Sequence, residues 1–203
     1  MVTNKILEFV FSAPSHITVL RVLNERNIGI SGREVSRLTG LSVRAVQLSL
    51  ANLGKTGIVK IAEGKREHLF TIDREKYLVK ELVEKIFNAE NDYSMQILKL
   101  IRTKLKPYTV SLIQFGSTAR GNETPASDFD LCIVYAGKLK VIEEIVSKLR
   151  SELYILFNIT LAPIYISAAK FRQLGKQERP PVNSIIKEGK IIAGKLIKEL
   201  LNG

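Results

Sequence analysis

Two short runs in the second half of the chain carry residue types that could do chemistry together: Gly116-Ser117, and Ser127-Asp128-Phe129-Asp130. The first follows an apolar run, Val110-Ser111-Leu112-Ile113-Gln114-Phe115, and the second opens another, Leu131-Cys132-Ile133-Val134-Tyr135. Both apolar runs read as buried strands. Side chains alternate faces along a strand, so Asp128 and Asp130 project to the same side, ~6.8 Å apart. Two carboxylates so placed can ligate a divalent cation from one side. Gly116 lets the backbone come close to a ligand. Ser117 offers a hydroxyl and an amide where a short helix begins, a favourable place for phosphate. A phosphate cradle and a carboxylate pair then face each other across a strand-turn-strand unit. Metal-assisted nucleotidyl transfer needs such a pair: Mg²⁺ bridges phosphate oxygens and carboxylates and offsets charge in the displacement.

The elements that position these residues run from about 109 to 166, where strands alternate with helices. A second organisation precedes them. From about 14 to 72 the pattern is three helices and a hairpin. The first helix begins near Pro14-Ser15, with Ile17, Val19, Leu20, Val22 and Leu23 at helical spacing. Ser31-Gly32-Arg33-Glu34 reads as a helix start: Ser31 can cap the Glu34 amide, and Glu34 can reach back to the Ser31 amide. That helix stops at Gly40. Ser42 caps the next, in which Val43, Val46, Leu50 and Leu53 form one apolar stripe. Ile58 to Ala62 and Arg66 to Ile72, around Glu63-Gly64-Lys65, read as a hairpin. A charged helical stretch, 74–106, joins the two organisations. Leu78, Leu82 and Ile86 sit there at i+4 spacing beside Val79 and Val83, followed by Met95, Leu98 and Ile101 to Leu105. Its apolar positions serve either packing between domains or a homodimer interface, which would pair two copies of the N-terminal arrangement about a two-fold axis.

The N-terminal arrangement resembles a winged helix-turn-helix over about 60 residues. In that fold the third helix enters the major groove and the wing lies along the phosphates. With Val46, Leu50 and Leu53 turned inward, Arg44, Gln47, Leu48 and Ala51 face away. Arg44 and Gln47 can meet guanine and adenine edges bidentately. Arg33, Arg37, Lys60, Lys65 and Arg66 suit phosphates. Winged helices also serve as protein–protein modules, so double-stranded DNA is one of two partner classes the resemblance implies.

The Gly116-Ser117 and Ser127-Asp128-x-Asp130 signature resembles the nucleotidyltransferases related to DNA polymerase β, especially their minimal members. Gly116, Ser117, Arg120, Gly121, Ser127, Asp128 and Asp130 all match that pattern. The resemblance spans roughly residues 95–200, including a tail, Ile185-Ile186-Lys187-Glu188-Gly189, in which a helix stops at Glu-Gly. It implies an α+β chain: winged helix at 1–73, helical linker at 74–106, and a minimal α/β nucleotidyltransferase domain with a mixed sheet at 107–203. It implies Asp128 and Asp130 as catalytic metal ligands for Mg²⁺. Gly116, Ser117, Arg120 and Ser127 would hold an NTP such as ATP. The acceptor would be a hydroxyl on a protein, an RNA or a small molecule. Minimal members also occur as antitoxins, which implies a partner-binding role instead.

One feature departs from the pattern. Active members place a third carboxylate on a later strand, here Asn158 to Ile166, yet no Asp or Glu lies between Glu152 and Glu178. General-base help, typically worth ~10²–10⁴-fold, is then missing from that strand. Pro163 within it points to an edge strand or a bulge.

Composition agrees with polyanionic partners. The net charge is +11 and the excess is spread over both halves, although a Lys-rich surface also serves solubility alone. One cysteine, Cys132, excludes an internal disulfide and a Cys-based zinc cluster. His16 and His68 stand alone and read as surface residues. No apolar run approaches the ~20 residues of a membrane span, and the start lacks a secretory pattern. A cytoplasmic protein is expected.

Overall fold

A computed structural model describes residues 4–64 and 67–202. Lys65 and Arg66, assigned above to phosphates, lie outside the described residues. The chain divides into two units, Met1–Asp92 and Tyr93–Gly203.

In the first unit, helices α1 (Ile6–Val10), α2 (Pro14–Asn24), α3 (Gly32–Thr39) and α4 (Val43–Lys55) surround one core. The strands β1 (Ile30–Ser31), β2 (Val59–Glu63) and β3 (His68–Ile72) form an antiparallel sheet in the order β1-β3-β2. Local signals account for the helix bounds. Pro14 opens α2, where its missing N–H costs nothing. The Ser31 hydroxyl accepts from the Glu34 amide at 3.3 Å, and Ser42 accepts from Ala45 at 3.2 Å. Gly40 ends α3 at φ 70°, in the left-handed region. Val19, Leu20, Leu23, Val35, Val46, Leu50 and Leu53 are essentially inaccessible. Each large apolar side chain buried there contributes about 1.5–3 kcal/mol.

Four expectations need correction. Glu34 does not return to the Ser31 amide; its carboxylate takes the Arg37 guanidinium at 2.6 and 2.9 Å, a charged partner one turn on. Val43 is 43% exposed, because the first turn of α4 precedes the part of the helix that meets the core. His16 is buried, with Nδ1 3.0 Å from the Val10 carbonyl, so α1 supplies the partner that makes burial of an imidazole tolerable. After β3 the chain makes one wide π-type turn, Val79–Val83, into helix α5 (Glu84–Leu105). The buried stripe is Val79, Val83 and Phe87, while Leu78 and Leu82 lie at its margin and Ile86 is exposed. Two adjacent apolar stripes run along this stretch, and packing selects one of them. Arg21 braces it by pairing with Glu90 and lying 5.3 Å from the Phe87 ring centroid.

The second unit is a mixed four-stranded sheet of order β6-β5-β4-β7. Its strands are β4 (Ser111–Gln114), β5 (Phe129–Tyr135), β6 (Leu161–Ser167) and β7 (Lys190–Gly194). β5 and β6 run parallel, and the other pairs are antiparallel. The parallel pair needs a crossover, supplied by helix α7 (Leu139–Phe157). Strand alternation sorts β5 onto two cores. Phe129, Leu131 and Ile133 pack with Ile97, Ile101 and Leu105 of α5 and with Ile142, Val146, Leu149 and Leu153 of α7. Cys132 and Val134 pack on the other face with Phe171 of α8 (Ala168–Lys176), Val182 and Ile185 of α9 (Val182–Glu188), and Leu200 of α10 (Ile197–Asn202). Cys132 is fully inaccessible there. β6 is an edge strand, the position that Pro163 tolerates. Among the described residues no helix is long and apolar enough to cross a membrane.

Candidate functional site

The candidate site lies where β4 ends and β5 begins. Phe115 leaves β4 in extended backbone, and Gly116 follows at φ 71° to open helix α6 (Gly116–Arg120). The turn brings Gly116 against Asp130. A Cβ on Gly116 would fall 2.9 Å from Asp130 Cγ, so only glycine leaves room for that carboxylate. The Phe115 amide donates to the Asp130 carbonyl at 3.2 Å, which fixes the two strand ends to each other. α6 has only five residues. Anion binding there would rest on individual amides and the Ser117 hydroxyl more than on a helix dipole.

The loop before β5 is tied by Ser127. Its hydroxyl accepts from the Thr124 amide at 2.9 Å, and its own amide donates to the Thr124 carbonyl at 2.9 Å. Ser127, expected to contact nucleotide, therefore shapes the loop that presents Asp128. Asp128 is exposed and Asp130 half-buried. Burial, first, and the nearby Asp128 charge push the Asp130 carboxyl above its ordinary range; Glu188 adds to this and Arg120 opposes it. Like charges brought together in this way favour a bound cation, and hard carboxylate oxygens suit Mg²⁺. The donor chemistry therefore fits such a metal, and Asp128 and Asp130 are the residues that would hold it.

Arg120 is partly engaged. Its Nη1 donates to Glu188 Oε2 at 2.7 Å, joining α6 to the last residue of α9. Glu188 is a neighbour of the candidate site that the sequence did not point to. The only signal for it was the Glu-Gly stop, which marks a helix end and says nothing of what lies beside it.

The strand expected to carry a third acid supplies none. In the parallel register Asp130 stands beside Ala162, with Thr160 and Ile164 as the neighbours two residues away. Among the described residues no group of three or more His, Cys, Asp or Glu side chains is arranged to hold a metal.

In the first unit, Arg33, Arg37, Arg44, Gln47 and Lys60 are all exposed. Arg44, Gln47, Leu48 and Ala51 share the outer side of α4, and Leu48 is 63% exposed. Arg37 is the exception to a free basic surface, since Glu34 holds its guanidinium.

Residues 94–192 match the family model described as the nucleotidyltransferase domain. The matched segment contains β4, β5, β6 and the start of β7, with Gly116-Ser117, both aspartates and Glu188. No curated protein matches the chain. Among solved structures, the chain is similar to one described as a predicted DNA-binding transcriptional regulator from E. coli. That likeness has 25% identity over 41% of this chain and 85% of the other, with a TM-score of 0.36. It is also similar to a toxin-antitoxin with AMP-PNP, at 17% identity over 52% of this chain and 77% of the other, with a TM-score of 0.37.

Proposed function

We propose that this is a DNA-binding protein whose C-terminal nucleotidyltransferase-type domain binds Mg²⁺–NTP, with ATP as the first candidate, and transfers the nucleotidyl group to a hydroxyl acceptor. The observation that carries the reading is the seating of Asp130 against Gly116, beside Ser117, inside the segment that matches the family. Asp128 and Asp130 would hold the cation, whose chemistry when bound would be to offset phosphate charge. Gly116 and Ser117 approach the phosphates through backbone and hydroxyl. Arg120 supports α6 through Glu188. β6 supplies no carboxylate to take the acceptor's proton, so turnover would need another base, from Glu123, Glu178 or the acceptor itself.

The N-terminal unit supports a winged-helix reading. Its capped α3, glycine turn, exposed α4 face and three-stranded sheet with the β2–β3 hairpin are the parts such a module needs. Arg44 and Gln47 would read bases, while Arg33, Arg37, Lys60, Lys65 and Arg66 would meet phosphates.

A second reading is favoured by the acid-free β6: a regulator or antitoxin-like partner protein in which the domain binds nucleotide without turnover. One experiment separates the two. The protein is incubated with α-labelled NTPs, Mg²⁺ and cell extract beside an Asp128→Asn/Asp130→Asn variant. Label transfer that the variant loses supports the enzyme. Mg²⁺-dependent ATP binding without transfer supports the second reading. Unchanged mobility of genomic fragments at low salt rejects DNA binding.

A further inference from the structure

We infer that the C-terminal unit holds a second ligand site, a metal-independent pocket for a nucleoside monophosphate, on the face of the sheet opposite the two aspartates. A cavity of about 590 Å³ opens there, within the ~300–1,000 Å³ range of small-molecule sites. Phe129 stands between Asp128 and Asp130 in sequence, so strand alternation turns it the other way, and it lines this cavity. Gly116, Ser117, Asp128 and Asp130 do not line it, but their neighbours Thr118 and Ser127 do. The two sites are thus separated by the thickness of one strand-turn unit.

The lining chemistry selects the ligand. The partly exposed Phe157 offers aromatic surface to a planar ring, and the largely buried Phe129 closes the floor beneath it. Phe157 is held in place: the Tyr93 hydroxyl donates to its carbonyl at 2.8 Å, and the two rings pack edge to face at 5.6 Å. Gln114 and Lys190 are direct cross-strand partners on β4 and β7, and both line the cavity. The half-buried Gln114 side chain makes no hydrogen bond among the described residues. A carboxamide presents one donor edge and one acceptor edge, which matches the edge of a nitrogen heterocycle. Among the described residues, Lys190 is the one cation in the lining and Glu123 the one carboxylate. Lys190 can meet one phosphate oxygen and Glu123 can accept from sugar hydroxyls; each further phosphate would add charge that no second cation of the lining meets.

The test uses the full chain in EDTA, with AMP and CMP titrated calorimetrically beside adenosine and inorganic phosphate. A nucleoside monophosphate should bind, and adenosine and phosphate each more weakly by about tenfold, the size of one lost polar contact. Gln114→Leu and Lys190→Ala should each weaken binding about tenfold, while Asp128→Asn/Asp130→Asn leaves it within about twofold. Lys190 is exposed, so its variant keeps the test valid if Gln114→Leu melts early. Failure to bind either nucleotide at millimolar concentration overturns the proposal. So does binding that needs Mg²⁺, that follows the aspartates, or that ignores Gln114 and Lys190. Loss of Mg²⁺-dependent ATP binding alone would count against the metal site and leave this pocket standing.

Discussion

Gly116 and Asp130 are packed so closely that any side chain at position 116 would displace the carboxylate at 130: a Cβ there comes within 2.9 Å of Asp130 Cγ. The backbone at Gly116, φ 71°, is also one that residues with a Cβ adopt at a cost. Gly116→Ala should therefore lose about 1–2 kcal/mol from the dihedral alone, with a further loss from moving Asp130. Thermal melts should fall by several degrees. Mg²⁺-dependent ATP binding should weaken by tenfold or more (~1.4 kcal/mol). A variant that melts and binds like the parent would remove glycine from the argument.

The raised Asp130 carboxyl gives a pH signature. Burial and the Asp128 charge favour its protonated form in the folded state. Its contribution to stability is present below the ordinary carboxylate range and is lost as pH rises through the higher folded value. Asp130→Asn should melt above the parent at pH 7 and converge on it as pH falls toward 4, near ordinary carboxylate values. Mg²⁺ at pH 7 should stabilise the parent and leave the variant unchanged. Melting curves across pH, with and without metal, check both; a variant below the parent at pH 7 contradicts the assignment.

Arg120 and Glu188 lie 68 residues apart in the chain and tie α6 to α9 at 2.7 Å. Their side chains are 46% and 24% exposed, so solvent screens much of the attraction. A double-mutant cycle with Arg120→Ala and Glu188→Gln should return a coupling of about 0.5–1 kcal/mol. Zero coupling in urea denaturation would show that the pair does not tie α6 to α9.

On the first unit, Arg44 and Gln47 are exposed on α4, so alanine at either should leave the melt unchanged. If α4 reads base edges, each substitution costs about 1–3 kcal/mol of DNA affinity, while Lys60→Ala lowers the salt slope by about one. Gel shifts at several salt concentrations measure both. Equal affinity for parent and both α4 variants would assign this face to a protein partner instead.

Much of the site was legible because its determinants are local. Gly116, Asp128 and Asp130 lie on one strand-turn-strand unit, where the period of two fixes which side chains share a face. Ser31, Gly40 and Ser42 were readable for the same reason, since a cap acts within one turn. His16 was not, because its burial depends on a carbonyl from α1 that no spacing rule aligns with it. Along Val79 to Phe87 two apolar stripes were equally good helices, and only the tertiary core chose. Glu188 reaches Arg120 through the placement of α9, a long-range fact with no local sign. The missing acid on β6 could be read directly, because a strand without Asp or Glu has none in any register.

Cys132, the only cysteine of the chain, sits two residues beyond Asp130 on the same face of β5 and is fully inaccessible. Burial pushes its thiol up to about 12. At neutral pH it is therefore mute to alkylating reagents until β5 separates from its neighbours. The rate at which it becomes labelled is then a clock for opening of the strand that carries the aspartates. The protein holds this reporter natively, with no competing thiol to subtract.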